Sequence, residues 1–174
     1  MMEKRRLYMI LGSLAVVSML CVPFAFAADD ESKNSVQTVL QTSQDLSALA
    51  EMGMTLEQAP AVKSLPTISE EDAIKAASEY MPVFSKTATN IKAEYQIMTN
   101  PNFQAFSESA LAKNPTLQQN KHLEKTPVYI VSFEGIKKEG HDFKGSNKKP
   151  TVFSEQNVVV DASTGEILYS YNYR

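Results

Sequence analysis

The strongest constraint on the fold is a hairpin signal near the C-terminus. Three consecutive valines stand before Asp161, and an alternating apolar run follows over 166–173. The Asp161 carboxylate can accept backbone N–H groups of Ser163 or Thr164, as in an Asx turn, and Gly165 suits a positive φ angle. The pattern predicts two adjacent antiparallel strands joined by a short turn.

A second clear signal is a helix start at Ser69. Three acidic residues follow Ser69, whose side chain can cap the helix while the acids complement the positive helix N-terminus. Ile68 can pack on Ala73 as a hydrophobic staple. The apolar spacing predicts a helix over 70–81, ended by Pro82. Its predicted apolar face consists of Ala73, Ile74, Ala77, Tyr80 and Met81.

Two more strands are expected between this helix and the hairpin. Residues 91–98 alternate between apolar and polar, which is typical of a half-buried strand, and 128–133 form a compact apolar strand. Between them, Asn100 and Pro101 fit a helix cap and a first-turn proline, so a short helix is predicted that ends at Pro115. The polar stretches 115–126 and 135–150 are predicted to be loops.

These elements together predict an α+β fold over residues 67–174. It has one antiparallel sheet of about four strands, with the 70–81 helix packed on one face. Residues 28–66 form a polar N-terminal segment before it. This segment is predicted to contain a loosely attached helix over 35–52, ended by Gly53, and then a linker.

The first residues carry an export signal. A basic start at 4–6, a long apolar run and a small-x-small end at 25–27 predict a signal peptide over 1–27. We therefore expect a secreted or extracytoplasmic protein of the cell envelope. An uncleaved membrane anchor remains an alternative, because the apolar run is long enough to span a bilayer. Cys21 could indicate a lipoprotein signal. This alternative is weaker, because such signals have a small residue before the cysteine and the residue here is the large Leu20.

Few residues are of the kinds that catalysis or metal binding requires. The chain has two His and one Cys, whereas a zinc site needs three or four ligands. No Gly-x-Ser-x-Gly elbow or glycine-rich phosphate loop occurs. The net charge of −3 disfavours nucleic-acid binding. We expect a protein that is not an enzyme, with no metal, cofactor or small-molecule substrate. An enzyme would require His122, His141 and distant acids to meet in one pocket.

Two groups of side chains are candidates for binding a partner. Tyr169, Tyr171 and Tyr173 are predicted to share one face of the last strand with Ile167, either as an aromatic contact surface or as part of the core under the helix. The 135–150 loop is rich in lysine and could meet an anionic partner or simply be solvated. Its lysines are Lys137, Lys138, Lys144, Lys148 and Lys149.

The segment 158–168 resembles the C-terminal hairpin of PepSY domains, in which a hydrophobic strand leads into Asp-x-x-Thr-Gly-Glu and a second strand. The helix opening at 68–77 resembles the first helix of that family, and 128–133 resembles its middle strand. The stretches 99–126 and 135–150 are longer than is usual there. The residues that match the hairpin motif are Asp161, Thr164, Gly165 and Glu166.

The resemblance implies an exported, non-catalytic binding module of bacterial origin that modulates or inhibits an extracytoplasmic peptidase in trans. Its partner would be a protein, which could pair with the last strand if that strand is a sheet edge. A membrane would be involved only if residues 1–27 stay attached. The alternative is a cell-envelope interaction or structural protein whose lysine-rich loop binds anionic wall or membrane components.

Overall fold

The computed structural model describes residues 40–59, 67–140 and 150–173. Its centre is an antiparallel sheet whose five strands lie in chain order. The strands are β1 Thr55–Gln58, β2 Asn90–Asn100, β3 Leu123–Glu139, β4 Val152–Asp161 and β5 Ile167–Tyr171. The helices are α1 Leu46–Glu51, α2 Glu70–Tyr80, α3 Pro82–Thr87, α4 Glu108–Lys113 and α5 Pro115–Asn120. The predicted signal peptide over 1–27 lies outside the described residues.

The α+β prediction is confirmed, but the sheet has one strand more than expected. The additional strand β1 lies inside the stretch that was predicted to be a linker. It pairs with the end of β2, from Thr55 opposite Thr99 to Gln58 opposite Gln96. Four residues with little apolar character give no strand signal of their own. Pairing with β2 therefore decides their conformation.

Helix α2 begins as predicted. The Asp72 N–H donates to Ser69 Oγ at 3.1 Å, and the Ser69 N–H donates to Asp72 Oδ2 at 3.2 Å, which is a complete capping box. Ala73 and Ala77 are fully buried, so the helix lies close to the sheet. Tyr80, expected on the apolar face, is instead 50% exposed because it stands at the helix end.

Pro82 and Pro115 each end one helix and begin another. Proline is readily accommodated in the first turn of a helix, where its missing N–H would have no partner. The prediction of a loop over 115–126 is therefore wrong, since α5 and the start of β3 lie there. Asn114 connects α4 to α5, and its Oδ1 accepts the Leu117 N–H at 2.9 Å.

The helix predicted from Asn100 onward begins later. Asn100 closes β2 opposite Leu123, and its side chain is used for tertiary contacts. Helix α4 begins only after Ser107, whose Oγ accepts the Ala110 N–H at 3.1 Å. Asn100, which was predicted to cap a helix, is therefore the last residue of a paired strand.

The helix predicted over 35–52 is also shorter. Residues 40–45 are not helical, and α1 begins after Asp45, whose carboxylate caps two backbone N–H groups at 3.0 Å. Gly53, at φ 76°, follows the end of α1 as predicted. Leu49 is only 1% exposed, so α1 itself packs on the sheet. Residues 35–39 lie outside the described part of the chain.

Both faces of the sheet are covered. Helices α2 and α3 pack on one face, which we term the α2 face, and α1, α4 and α5 pack on the other, the α1 face. The half-buried pattern predicted for β2 is therefore wrong at its end, where Gln96 and Met98 are buried. The central core of the α1 face includes Leu49, Met98, Leu117, Val128, Ile130 and Val159, and that of the α2 face includes Ala73, Ala77, Val131, Phe133, Val158 and Val160.

A β-bulge in β5 divides the residues that were expected to share a face. Val160 is opposite Ile167 and Val159 is opposite Tyr169, so one additional residue, Leu168, stands between them on β5. An inserted residue reverses the alternation of side chains. Ile167 consequently belongs to the α2 face, and Tyr169 belongs to the α1 face.

Candidate functional site

The predicted Asx turn between β4 and β5 is confirmed. Asp161 Oδ1 accepts the Ser163 N–H at 2.8 Å and the Thr164 N–H at 3.1 Å. The Gly165 N–H donates to the Asp161 carbonyl at 2.8 Å, and Gly165 has φ 76°. Asn114 Nδ2 donates to Asp161 Oδ2 at 2.6 Å. Asp161 is fully buried and structural, because its carboxylate is occupied by the turn and by Asn114.

Strand β5 is an edge of the sheet. In the described part of the chain it pairs only with β4, and the opposite edge is β1. A cavity of about 240 Å³ opens on the α1 face beside Tyr169 and Tyr171, and a second of about 380 Å³ lies beside Tyr173. Met52 lines both cavities, which together we term the edge groove.

The floor of the edge groove is aromatic and sulfur-rich. The rings of Phe103 and Tyr169 are stacked with centroids 4.5 Å apart. The Tyr169 hydroxyl lies 3.1 Å from Met54 Sδ and 3.0 Å from Met98 Sδ. It also accepts a hydrogen bond from Asn100 Nδ2 at 3.0 Å. Burial raises the pKa of Tyr169 to about 12. Tyr169, at 8% exposed, is therefore a core residue that also forms part of the groove floor.

The other two tyrosines of the last strand meet a single glutamine. Tyr171 and Tyr173 both donate their hydroxyl groups to Gln44 Oε1, at 2.6 and 2.5 Å. Burial raises the pKa of Tyr173 to about 12, and it raises the pKa of the more deeply buried Tyr171 further. Tyr171 is thus also part of the core, whereas Tyr173 is half-buried at the rim of the groove.

Gln44 belongs to a segment that the sequence analysis did not single out. Residues 41–45, which we term the strap, lie across the α1 face without regular secondary structure. Gln44 Nε2 donates to Ser132 Oγ at 3.1 Å, and Ser132 donates in turn to Asn157 Oδ1 at 2.6 Å. The available sequence signal was a polar Ser132 inside an apolar strand.

Glu94 holds the other half of the strap. It accepts from the Thr42 hydroxyl at 2.6 Å, from the Ser43 N–H at 3.0 Å and from the Ser43 hydroxyl. Burial by itself would raise the pKa of Glu94. The hydrogen bonds from Ser43 and Thr42 together outweigh burial, so the pKa is lowered from its usual value.

The prediction of a loop over 135–150 is wrong at its start. Strand β3 continues to Glu139, so Lys137 and Lys138 lie on a strand. Lys137 is exposed, but Lys138 Nζ donates to Gln156 Oε1 at 2.5 Å and lies 5.9 Å from the centre of the Phe84 ring. The remaining residues of the predicted cluster, Lys144, Lys148 and Lys149, lie outside the described residues, as does His141.

A third cavity, of about 360 Å³, lies beside the β4–β5 turn. Two lysines line it, and each has a carboxylate partner. Lys113 pairs with Glu166, and Lys125 Nζ is 3.6 Å from Glu57 Oε1. Among the described residues that line this cavity, no lysine is left without a carboxylate partner for an anionic ligand.

Residues 40–59, 67–140 and 150–173 contain no group of three or more His, Cys, Asp or Glu side chains that could hold a metal ion. His122 Nε2 lies 4.0 Å from Glu124 Oε2. No helix in these ranges is long and apolar enough to cross a membrane.

Comparison of the chain with family models, with curated proteins and with solved structures gives no match. The function must therefore be inferred from the geometry of the edge and of the α1 face.

Proposed function

We propose that this protein is an exported, non-catalytic binding module of the PepSY kind, which modulates or inhibits an extracytoplasmic peptidase in trans. The observation that carries the proposal is the open edge of β5 beside the edge groove. An extended segment of a partner can add to such an edge as a further strand. Main-chain hydrogen bonds then give affinity, and alternate side chains give specificity.

The edge groove supplies a place for those side chains. Met52, Met54 and Phe103 line its first cavity beside β5. Thioether side chains are flexible and polarisable, so they adapt to apolar side chains of different shape. We infer that the groove accepts an apolar side chain of the partner segment.

A polar donor stands in the second cavity. Asn172 lines this cavity, and its Nδ2 is buried with no hydrogen-bond partner among the described residues. A buried donor without an acceptor is costly. A carbonyl oxygen of a bound segment would satisfy it, which supports binding at this edge.

The test is a titration of the full chain into purified secreted metallopeptidases, with residual activity on a peptide substrate as the readout. Saturable inhibition at stoichiometric protein is expected. Ser170→Pro in β5 should weaken inhibition by about tenfold or more, because proline cannot donate to a strand partner. Tyr171 is unsuitable for this substitution, since it is buried against Gln44.

The matched control is Glu57→Pro, which places a proline in the opposite edge strand β1. It should leave inhibition unchanged, and circular dichroism should show that both variants remain folded. Equal inhibition by folded Ser170→Pro and wild type would contradict the role of β5. If no peptidase is inhibited, salt-sensitive binding to anionic wall polymer would instead favour the lysine-rich segment.

A further inference from the structure

The α1 face of the sheet has an apolar half and a polar half, and the strap lies on the polar half. The apolar half is covered by α1, α4 and α5. The polar half presents Glu94, Gln96, Ser132 and Asn157, of which the last three are buried. Buried polar groups on a sheet are costly unless they find partners. Here the strap supplies most of those partners.

The strap is held as a bound peptide would be held. Beyond the hydrogen bonds to Glu94, the Gln41 carbonyl accepts from Gln96 Nε2 at 2.9 Å, and the Gln41 N–H donates to Gln58 Oε1 at 3.0 Å. Side chains of the sheet thus bind the strap main chain at three groups, which are the Gln41 N–H, the Gln41 carbonyl and the Ser43 N–H. These contacts come from side chains of the sheet and not from a strand ladder.

The Gln44 side chain binds the part of this surface that is most selective for one type of side chain. Its Oε1 accepts from Tyr171 and Tyr173, and its Nε2 donates to Ser132. The glutamine is 6% exposed. A carboxamide offers both an acceptor and a donor at these positions. A glutamate would lose the donor and bury a charge, so the pocket selects a glutamine side chain.

The strap does not satisfy the whole surface. Gln96 is 2% exposed, and its Oε1 is buried without a partner among the described residues. An unpaired buried acceptor is a cost that the present occupant leaves uncompensated. A segment carrying one more donor at this point would bind better than the strap does.

We propose that the polar half of the α1 face is a peptide-recognition site, which the chain occupies with its own residues 41–45. The class of ligand is an extended protein segment with two adjacent hydroxyl side chains followed by glutamine, as in Thr42, Ser43 and Gln44. A partner segment of this chemistry binds by replacing the strap. This site shares the side chains of Tyr171 and Tyr173 with the edge groove but does not use the main-chain edge of β5, so it stands whether or not the proposed peptidase interaction holds.

The experiment replaces the strap side chains that bind the sheet and leaves the residues of the recognition site unchanged. The full-length variant T42A/S43A/Q44A retains Glu94, Ser132 and both tyrosines. The probe is a fluorescein-labelled peptide with the sequence of residues 40–46, Leu-Gln-Thr-Ser-Gln-Asp-Leu, measured by anisotropy. The variant should bind it about tenfold or more tightly than the wild type, whose own strap competes. A peptide with glutamate in place of glutamine should lose that binding.

Ser47→Ala, at an exposed position just beyond the strap, is the matched control and should bind the probe as the wild type does. The proposal is overturned if the folded triple variant does not bind the probe, or if the glutamate peptide binds equally well.

Hydrogen exchange in the wild-type chain decides the question independently of whether the triple variant folds. If the strap detaches by itself, the Ser43 amide should exchange about 100-fold faster than core amides such as those of Ile130 and Val159. Exchange of the Ser43 amide at the same rate as the core amides would mean that the strap is a fixed part of the fold, and the proposal would fail.

Discussion

At the scale of single residues, Gln44 joins three parts of the fold through one carboxamide group. Its oxygen accepts from two tyrosines of the last strand region, and its nitrogen donates to Ser132 on β3. All of these contacts are with residues far away in the chain. A single side chain therefore fixes the strap against the sheet and orders the end of β5.

Replacement of Gln44 by alanine should lower the free energy of unfolding by roughly 1–3 kcal/mol, because Tyr171, Tyr173 and Ser132 would lose a buried partner. Urea denaturation measures this change. Gln41→Ala is the control, since the contacts of Gln41 use its main chain. The control should change stability by less than about 0.5 kcal/mol. Equal effects of the two substitutions would contradict the role of Gln44.

At the scale of elements, the β4–β5 hairpin combines a local turn with a bulge. The turn is specified within five residues, from Asp161 to Gly165, and it also receives the Asn114 side chain. The bulge at Leu168 then directs Ile167 to one core and Tyr169 to the other. The hairpin therefore supplies side chains to both faces of the sheet.

Gly165→Ala should destabilise the protein by about 1 kcal/mol, because alanine strongly disfavours a positive φ angle. The new Cβ would lie 3.7 Å from the Ile68 side chain, which is ordinary contact, so the cost is conformational and not steric. Thermal denaturation measures it. Ser163→Ala serves as the control, since only the backbone N–H of Ser163 bonds to Asp161. If Gly165→Ala leaves the stability unchanged, the turn must relax to accommodate alanine, which would contradict this prediction.

At the scale of the whole molecule, one sheet separates two cores and leaves two edges. Helices α2 and α3 cover one face, whereas α1, α4, α5 and the strap cover the other. The tyrosines at 169–173 lie where α1, the strap and β5 meet. The pH at which these tyrosines ionise therefore indicates whether α1 and the strap remain packed on the α1 face.

The fold should weaken in alkali as these tyrosines ionise. The pKa values of Tyr169 and Tyr173 rise on folding from 10.0 to about 12. A group with a raised folded pKa stabilises fully below its unfolded pKa, and that contribution is lost as the pH rises from 10 toward 12. Ultraviolet titration of phenolate should show these two tyrosines neutral near pH 10 in the native chain but ionising in urea. Titration of all tyrosines near pH 10 without unfolding would contradict the closed α1 face.

Features that depend on neighbouring residues could be predicted. The capping box of Ser69 and Asp72 and the turn from Asp161 to Gly165 are built from contacts within four residues, so the sequence pattern defines them directly. The same holds for the strand character of β4. Export remains a prediction, and the PepSY-like role is a prediction that the peptidase titration addresses.

The sequence by itself determined the antiparallel hairpin, the start of α2 and the α+β class, because local capping, turn geometry and alternation act over a few residues. Only the tertiary structure decided that β1 is a strand, that Gln96 is buried and that the strap crosses the sheet. Gln96 meets Gln41 across 55 positions in the chain. Such contacts depend on which faces the fold brings together, and no local pattern of apolar residues encodes a polar partner at that distance.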